Sequence, residues 1–243
     1  MFRRKNFRTR LGRRRRFRKT RGRFKGRRKV SKFTKSTSSL IKQPSGLPDR
    51  LYVKLKLTGQ AAFTGSAGQQ TSFVIKGNGL FDPLGASGTT RPYLFDQWAL
   101  FYQNYKVYGS KILIRANQNG GSSNCAMFGI LPVNKSYAPG PTDQLIMESF
   151  PYCKIREFAG GASGIGHLRM KHYMGTAKMS GMKRSLIEND ENYWGTQGSD
   201  PSALWYWNIF SWDQGGATAS VIANFSVIYY CVFCKRDLTA PHP

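Results

Sequence analysis

Alternation of apolar and polar residues is the dominant pattern between residues 51 and 236. The stretch LYVKLKL (51–57) places four aliphatic side chains on one face and Tyr52, Lys54 and Lys56 on the other. The stretch SVIANFSVIYYCVFCKR (220–236) keeps seven residues in a single phase: Val221, Ala223, Phe225, Val227, Tyr229, Cys231 and Phe233. A period of two is typical of half-buried β-strands, so both stretches are predicted to be strands of one domain.

Six further segments carry strand patterns and are separated by clusters of turn-forming residues. NCAMFGILPV is apolar on both faces, and the inward phase of YKVYGSKILIRA changes across Gly109 and Ser110, which predicts a β-bulge at the glycine. The six are TSFVIKG (71–77), YKVYGSKILIRA (105–116), NCAMFGILPV (124–133), YCKIREF (152–158), HLRMKHYMGTAKM (167–179) and ALWYWNIFSW (203–212).

Helical patterns are short and lie within connections. After the Gly- and Pro-containing segment 78–94, apolar residues from Trp98 to Tyr105 recur at helical spacing, and Asp96 is predicted to cap the amino end. Residues 142–150 (TDQLIMESF) are predicted to form a second short helix. Eight strands, Gly-rich loops and the lack of strand–helix alternation predict an all-β fold, an eight-stranded antiparallel jelly roll.

Positive charge is concentrated at the amino-terminal end of the chain, which indicates a segment separate from the β domain. The net charge is +26, yet residues 1–48 hold 20 Lys and Arg and no acid, whereas the remaining 195 residues hold 18 basic and 12 acidic residues, a net of +6. A segment so dense in like charge cannot bury enough apolar surface to fold alone. The predicted organisation is therefore a disordered Arg-rich arm (1–35), a Ser-, Gly- and Pro-containing linker (36–50) and one domain (51–243).

Such an arm is typical of nucleic-acid binding and of nuclear localisation signals, and the absence of an apolar face disfavours a membrane-surface helix. A solubilising tail is a further alternative. The predicted nucleic-acid contacts are Arg3, Arg4, Lys5, Arg8, Arg10, Arg13, Arg14, Arg15, Arg16, Arg18, Lys19, Arg21, Arg23, Lys25, Arg27, Arg28 and Lys29. Within the domain, Lys171, Lys178, Lys183 and Arg184 are predicted to be further contacts on an inner surface.

Candidate chemistry elsewhere is sparse. Cys231 and Cys234 have CxxC spacing, but in a strand they point to opposite faces, as do His167 and His172, so neither pair predicts a metal site. Glu188, Asp190 and Glu191 lack the spacing of a calcium loop and are predicted to lie in a solvated loop. No catalytic motif is present, so we expect neither enzymatic activity nor a cofactor.

The remaining sequence features concern the cysteines and the aromatic residues. The chain shows no secretory signal pattern, so its four cysteines are expected to be reduced thiols. An aromatic-rich set is predicted to belong to the core or to subunit contacts, with base stacking as the alternative: Trp194, Trp205, Tyr206, Trp207, Phe210 and Trp212.

Four short stretches carry a family resemblance: NGLFDP (78–83), RPYLFDQW (91–98), FYQNY (101–105) and KVYGSKI (106–112). In these stretches, and in its layout of arm, linker and eight strands, the chain resembles the capsid proteins of circular single-stranded DNA viruses of the circovirus and cyclovirus type. The resemblance implies a jelly roll of strands B to I and a T=1 icosahedral shell of 60 copies. It also implies an inward arm on a circular single-stranded DNA genome.

The same resemblance implies location in the virion and, during assembly, in the host nucleus. The implied partners are a host nuclear import receptor and a cell-surface attachment factor used in viral entry. Two other functions stay open from sequence: the capsid protein of a small RNA virus or satellite, and a cellular basic nucleic-acid-binding protein. A cellular protein of the ribosomal type would usually be basic throughout, which this domain is not.

Overall fold

The fold was analysed in a computed structural model that describes residues 48–64, 70–85, 90–119, 126–135, 149–158, 167–213 and 220–236. The predicted arm, the linker up to residue 47 and most of the predicted helix at 142–150 lie outside these residues. None of the helices in the described ranges is long and apolar enough to cross a bilayer.

The described residues contain eight long strands, one two-residue strand, three α-helices of five or six residues and a 3₁₀ turn at Glu191–Tyr193. The strands are β1 (Arg50–Thr64), β2 (Gln70–Lys76), β3 (Tyr102–Asn119), β4 (Ala126–Val133), β5 (Lys154–Phe158), β6 (His167–Gly175), β7 (Gly195–Thr196), β8 (Tyr206–Asp213) and β9 (Ser220–Arg236). The helices are α1 (Phe95–Ala99), α2 (Thr176–Ser180) and α3 (Arg184–Asn189).

The strands form two antiparallel sheets. Sheet I has the order β1-β9-β3-β6, with β7 paired to β3, and sheet II has the order β2-β8-β4-β5. When the short β7 is left out and the other eight strands are counted along the chain, the first, eighth, third and sixth form sheet I. The second, seventh, fourth and fifth form sheet II. Most connections therefore pass between the sheets, which is the arrangement of a jelly roll. The fold class predicted from sequence is confirmed.

Strand β9 is the central strand of sheet I. It pairs with β1 along the whole of β1 and with β3 from Tyr102 to Asn119. All seven residues of its apolar phase are buried, between 0% and 3% exposed. They pack in one core cluster with the inward residues of β1 and β3 and with Ile75 and Trp207 of sheet II. Burial of this phase fixes the register, because a slip by one residue would expose all seven side chains.

A bulge in β3 adjusts the pairing at one point. The register with β9 shifts between Val107 and Gly109, so that Tyr108 is the extra residue. Val107 and Ile112 are five positions apart, so regular alternation would place them on opposite faces, yet both are buried. The predicted bulge is confirmed, and it turns Tyr108 toward the outer face of sheet I.

A buried polar chain connects the two sheets. Trp207 Nε1 donates to Ser110 Oγ at 2.9 Å, and Ser110 Oγ donates to the Gly77 carbonyl at 2.8 Å. A buried hydroxyl or indole N–H without a partner would be costly, so these bonds define how β3 faces β8 and the end of β2.

The connection that follows β2 is held by one carboxylate. Asp200 accepts hydrogen bonds from Lys76 Nζ at 2.8 Å, from the Phe81 amide at 3.0 Å and from the Tyr105 hydroxyl at 3.0 Å. Burial and the neighbouring Asp200 charge raise the pKa of Tyr105 well above its ordinary value, so the hydroxyl stays a donor. The NGLFDP stretch is thus fixed against the core by Asp200.

Several local predictions are wrong. Asp96 does not cap α1, because Leu94 is at the N-cap and the Asp96 carboxylate instead pairs with Arg91. The strand predicted for residues 167–179 ends at Gly175, and α2 begins at Thr176. Thr176 Oγ1 donates to the Val107 carbonyl at 2.8 Å, which draws the chain away from strand geometry. The segment predicted as an acidic loop is α3 followed by the 3₁₀ turn.

We predict that Gly129→Ala destabilises the fold. A Cβ at Gly129 would lie 2.1 Å from Cζ of Phe210, which is nearly fully buried. Overpacking of this kind costs about 1–3 kcal/mol, so the melting temperature should fall by several degrees. Gly198→Ala is the matched control, because nothing lies within 4 Å of its added Cβ. Equal melting temperatures for the two variants, measured by circular dichroism, would contradict the packing described for β4 and β8.

Candidate nucleic-acid interface

The outer face of sheet I is basic. Alternation directs Arg50 and six further cationic side chains outward from β1, β3 and β6, and Arg50 pairs with Glu188. No Asp or Glu occurs in β1, β3, β6 or β9. We call this surface the basic face; its cations are Lys54, Lys56, Lys111, Arg115, Arg169 and Lys171.

Strand register brings like charges together on the basic face. Arg115 of β3 is directly opposite Arg169 of β6. Two rows toward β7, Lys111 is opposite Tyr173 on one side and Ile228 on the other, and Ile228 in turn is opposite Lys56. Among the described residues, no carboxylate lies within ion-pair distance of Arg115 or Arg169. Like charges placed directly opposite destabilise a sheet, and a bound polyanion would reverse that effect.

Tyrosines are interspersed among these cations. Tyr173 is 55% exposed and makes an edge contact with Tyr230, with ring centroids 5.8 Å apart. Lys54 Nζ lies 5.6 Å from the centroid of Tyr230, and Tyr52 stacks on Tyr108 at 6.3 Å. Basic side chains beside exposed aromatic rings are the combination with which proteins bind single-stranded nucleic acid.

Two grooves follow the basic face toward one flank of the sandwich. The first, of about 640 Å³, lies on the face and is lined by Lys56, Arg115 and Arg169. The second, of about 810 Å³, lies between the edges of β5 and β6 and is lined by two cations from each strand: Lys154, Arg156, Arg169 and Lys171. Arg169 lines both, so the positive surface continues from β1 to β5.

The four domain cations predicted from sequence occupy different places. Lys171 lies on the basic face. Lys178, on α2, lies over the Tyr152 ring at 4.1 Å, and Arg184, at the start of α3, lies over the Tyr108 ring at 4.2 Å. Lys183 is the exposed residue before α3. The arm contacts predicted from Arg3 to Lys29 fall outside the described residues and stay predictions.

Sequence analysis missed most of the basic face. Lys54 and Lys56 were recognised as the polar side of one strand, and Lys171 as a candidate contact. The sequence did not reveal that β1, β3 and β6 lie in one sheet. This strand order is what brings Lys111 and Arg115 of β3 onto the same face as the other cations. The available signal was the consistently basic outward phase of all three strands.

A buried lysine attaches α3 to sheet I. Lys106 is 0% exposed; its Nζ donates to the Ile187 carbonyl and lies 4.1 Å from the Trp194 ring centroid. Burial lowers its pKa to about 8, against the opposing effect of Glu188 and Asp190. Glu188 also pairs with Arg50 at 3.1 Å and accepts from the Tyr108 hydroxyl at 3.2 Å. This acidic residue therefore has a structural role instead of lying free in water.

The cysteine and histidine candidates do not form sites. Cys231 is buried in the core phase of β9, where its Sγ donates to the Val53 carbonyl, and Cys234 is on the other face of the strand. His167 is exposed, whereas His172 is buried, with Nε2 2.8 Å from the Tyr152 carbonyl oxygen and its ring against Trp207. Burial lowers the pKa of His172. No cluster of three potential metal ligands occurs within the described ranges.

The aromatic-rich set does not follow simple alternation, because Phe210 lies on the face of β8 opposite to Trp207 and is buried there with Leu131 in a second cluster. Trp205, Trp207 and Phe210 are buried, and the two tryptophans meet edge to face at 5.2 Å. Trp194, Tyr206 and Trp212 are half-buried. The tyrosines of the basic face, which come from other strands, are better placed for base stacking than these residues.

Among the comparisons with known proteins, the search of solved structures finds similar proteins, and the searches of family models and curated proteins do not. The 60-mer BFDV capsid protein is similar with a TM-score of 0.44 and 15% identity, covering 81% of this chain and 100% of that chain. The decameric BFDV capsid protein has a TM-score of 0.40 and 16% identity, covering 75% and 99%. Circovirus capsid proteins, the family that the sequence resembles, are thus among the similar solved structures.

Capsids of other viruses are similar at comparable levels. The Cocksfoot mottle virus structure has a TM-score of 0.42 and 12% identity, covering 77% of this chain and 97% of that chain.

We predict that Arg169→Gln weakens nucleic-acid binding without destabilising the fold. The change removes one phosphate contact, so the slope of log affinity against log salt should fall by about 1 for any sequence. It also removes the repulsion from Arg115, so the melting temperature should stay the same or rise slightly. Lys135→Gln is the matched control, because Lys135 is an exposed cation outside every predicted contact, and it should change neither quantity. A lower melting temperature with an unchanged salt slope would mean that Arg169 is structural.

We predict that the free energy of unfolding contains a pH-dependent contribution from Lys106. Its folded pKa of about 8 lies below the unfolded value of 10.5, so between these values the unfolded chain binds more protons. Stability from this residue therefore rises as pH increases from about 8 to 10.5. Urea unfolding of the parent protein and of Lys106→Met should differ in slope over this window. Parallel pH profiles would show that Lys106 titrates normally.

Proposed function

We propose that this chain is a structural viral capsid protein that assembles into a small icosahedral shell and packages circular single-stranded DNA. The observation that carries the proposal is the pairing of an acid-free arm with a jelly-roll domain whose basic face has no acidic partner among the described residues. Both features require the same kind of partner, a polyanion. In the proposed shell the basic face lies against the genome, which the arm also binds.

Summed charge supports packaging. A T=1 shell has sixty equivalent positions, so arms with about 20 cations each would supply about 1200 positive charges. That number neutralises on the order of a thousand phosphates, which suits a genome of one to a few thousand nucleotides. Contacts of this kind are independent of base sequence and are carried mostly by arginine, whose planar fork contacts phosphate.

The arm also serves as the nuclear localisation signal in this proposal, because a dense cluster of Lys and Arg is what import receptors recognise. The protein would be located in the virion and, during assembly, in the host nucleus. Its partners would be the genome, other copies of itself, a nuclear import receptor and a cell-surface attachment factor. The role is structural and requires neither catalysis nor a cofactor.

Particle formation tests the proposal directly. The purified full-length chain should sediment as a large uniform species and show closed particles by negative-stain electron microscopy. After disruption, the enclosed nucleic acid should be degraded by DNase and not by RNase. RNase sensitivity would favour the capsid of a small RNA virus, and small oligomers at every salt concentration would favour a cellular nucleic-acid-binding protein.

We predict that deletion of residues 1–35 yields a folded domain that retains little nucleic acid. The deletion removes 19 cations, most of the phosphate-neutralising charge, so the salt dependence of binding should become much shallower. A full-length variant with every arm arginine replaced by lysine keeps the charge and should still package nucleic acid. An unchanged salt slope after deletion would assign binding to the domain instead of the arm.

A further inference from the structure

A small pocket lies at the end of sheet I, where β6 passes into α2. Its volume is about 380 Å³, and its lining includes Tyr108, Tyr173, Lys178, Arg184 and Ile187. Two of these residues, Lys178 and Arg184, belong to the cations predicted from sequence. The pocket adjoins the basic face, because Tyr173 is opposite Lys111 in the sheet register.

The walls of the pocket are fixed by buried contacts. Tyr108 is the extra residue of the β3 bulge, which turns its ring outward. Thr176 is 1% exposed; its Oγ1 donates to the Val107 carbonyl and accepts from Trp205 Nε1 at 3.2 Å. Ile187 is 1% exposed, and its carbonyl accepts from buried Lys106. A preformed pocket loses little conformational freedom when a ligand binds.

The pocket combines flat apolar surfaces with positive charge. The Arg184 guanidinium lies 4.2 Å from the centroid of the Tyr108 ring, and the Tyr173 ring is more than half exposed. No carboxylate lines the pocket among the described residues, because Glu188 lies beyond Tyr108, paired with Arg50. Aromatic rings and a guanidinium plane stack on planar ligands, and lysine and arginine bind anions.

We infer that this pocket binds one unpaired nucleobase together with its adjacent phosphate, as part of a single strand that continues across the basic face. The base stacks against Tyr173 or the Arg184 plane, and Lys178 and Arg184 contact the phosphate. The volume is at the lower end of the range for small-molecule sites and is enough for one nucleotide, and the exposed ring of Tyr173 can stack only on a base whose face is free. This inference rests on the proposed function, and it explains how a shell protein could prefer single strands over duplex.

Cross-linking in the full-length complex tests the inference without removing the arm. The protein is bound to an oligo-dT that contains 4-thiothymidine, irradiated, digested with trypsin and analysed by mass spectrometry. Cleavage after Lys171 and Lys178 isolates residues 172–178, which contain Tyr173. We expect this peptide to be cross-linked with the single strand, and not with a duplex of the same thymidine strand.

Two variants make the test specific. Arg184→Ala should lower the yield of the cross-linked 172–178 peptide about fivefold or more, the effect expected for the loss of one stacking and phosphate partner. Lys135→Ala, which removes an exposed cation that lines neither the pocket nor the basic face, should leave the yield unchanged. Equal melting temperatures of the two variants would confirm that both are folded. The comparison of single strand with duplex uses the unmodified protein, so it does not depend on how any variant folds.

Three results would overturn the inference: cross-links confined to the arm, equal labelling of residues 172–178 by duplex, or equal yields from the two variants. Any of these in a protein that still forms DNA-containing particles would reject the pocket and leave the proposed function standing. Labelling of the pocket in a protein that never forms particles would reject the capsid proposal and retain the nucleotide site.

Discussion

Side-chain alternation in strand β9 is the constraint on which the rest of the domain depends. One phase of this strand supplies seven buried residues to the core between the sheets, and its pairing partners β1 and β3 align their own apolar phases with it. The opposite phase then has to form the outer surface of sheet I. Because the outward residues of β1, β3 and β6 are basic, the packing of the core and the location of the positive charge follow from one register.

The basic face illustrates a conflict between stability and binding. Arg115 and Arg169 are opposite each other without a compensating acid among the described residues, an arrangement that lowers the stability of the isolated sheet. A polyanion on this face turns repulsion into attraction. In the proposed function, arm and domain share a partner, because both carry positive charge that a polyanion would neutralise.

Much of the fold could be predicted from sequence, because a period of two is a local property. The eight strands, the β3 bulge near Gly109 and the double-sided burial of β4 were all visible in the pattern of residues. Strand ends were less visible. The conversion of β6 into α2 depends on Thr176 bonding to the Val107 carbonyl, a contact between residues 69 positions apart.

The candidate site was predictable only in part. Its residue types were recognised in Lys171, Lys178 and Arg184, but the basic face requires knowledge of strand order, and strand order is set by long-range pairing that no single segment encodes. Likewise, the acidic stretch at Glu188 was interpreted as a solvated loop because its partners, Arg50 and Tyr108, are distant in sequence.

We propose that the basic face lies against packaged nucleic acid in an assembled shell. A cryo-electron microscopy reconstruction of particles assembled from the full-length chain tests this most directly. We expect sheet I to be turned toward the interior, with nucleic-acid density in contact with Arg115, Arg169 and Tyr173. Particles in which this face is turned to the exterior, or is covered by a neighbouring subunit, would contradict it.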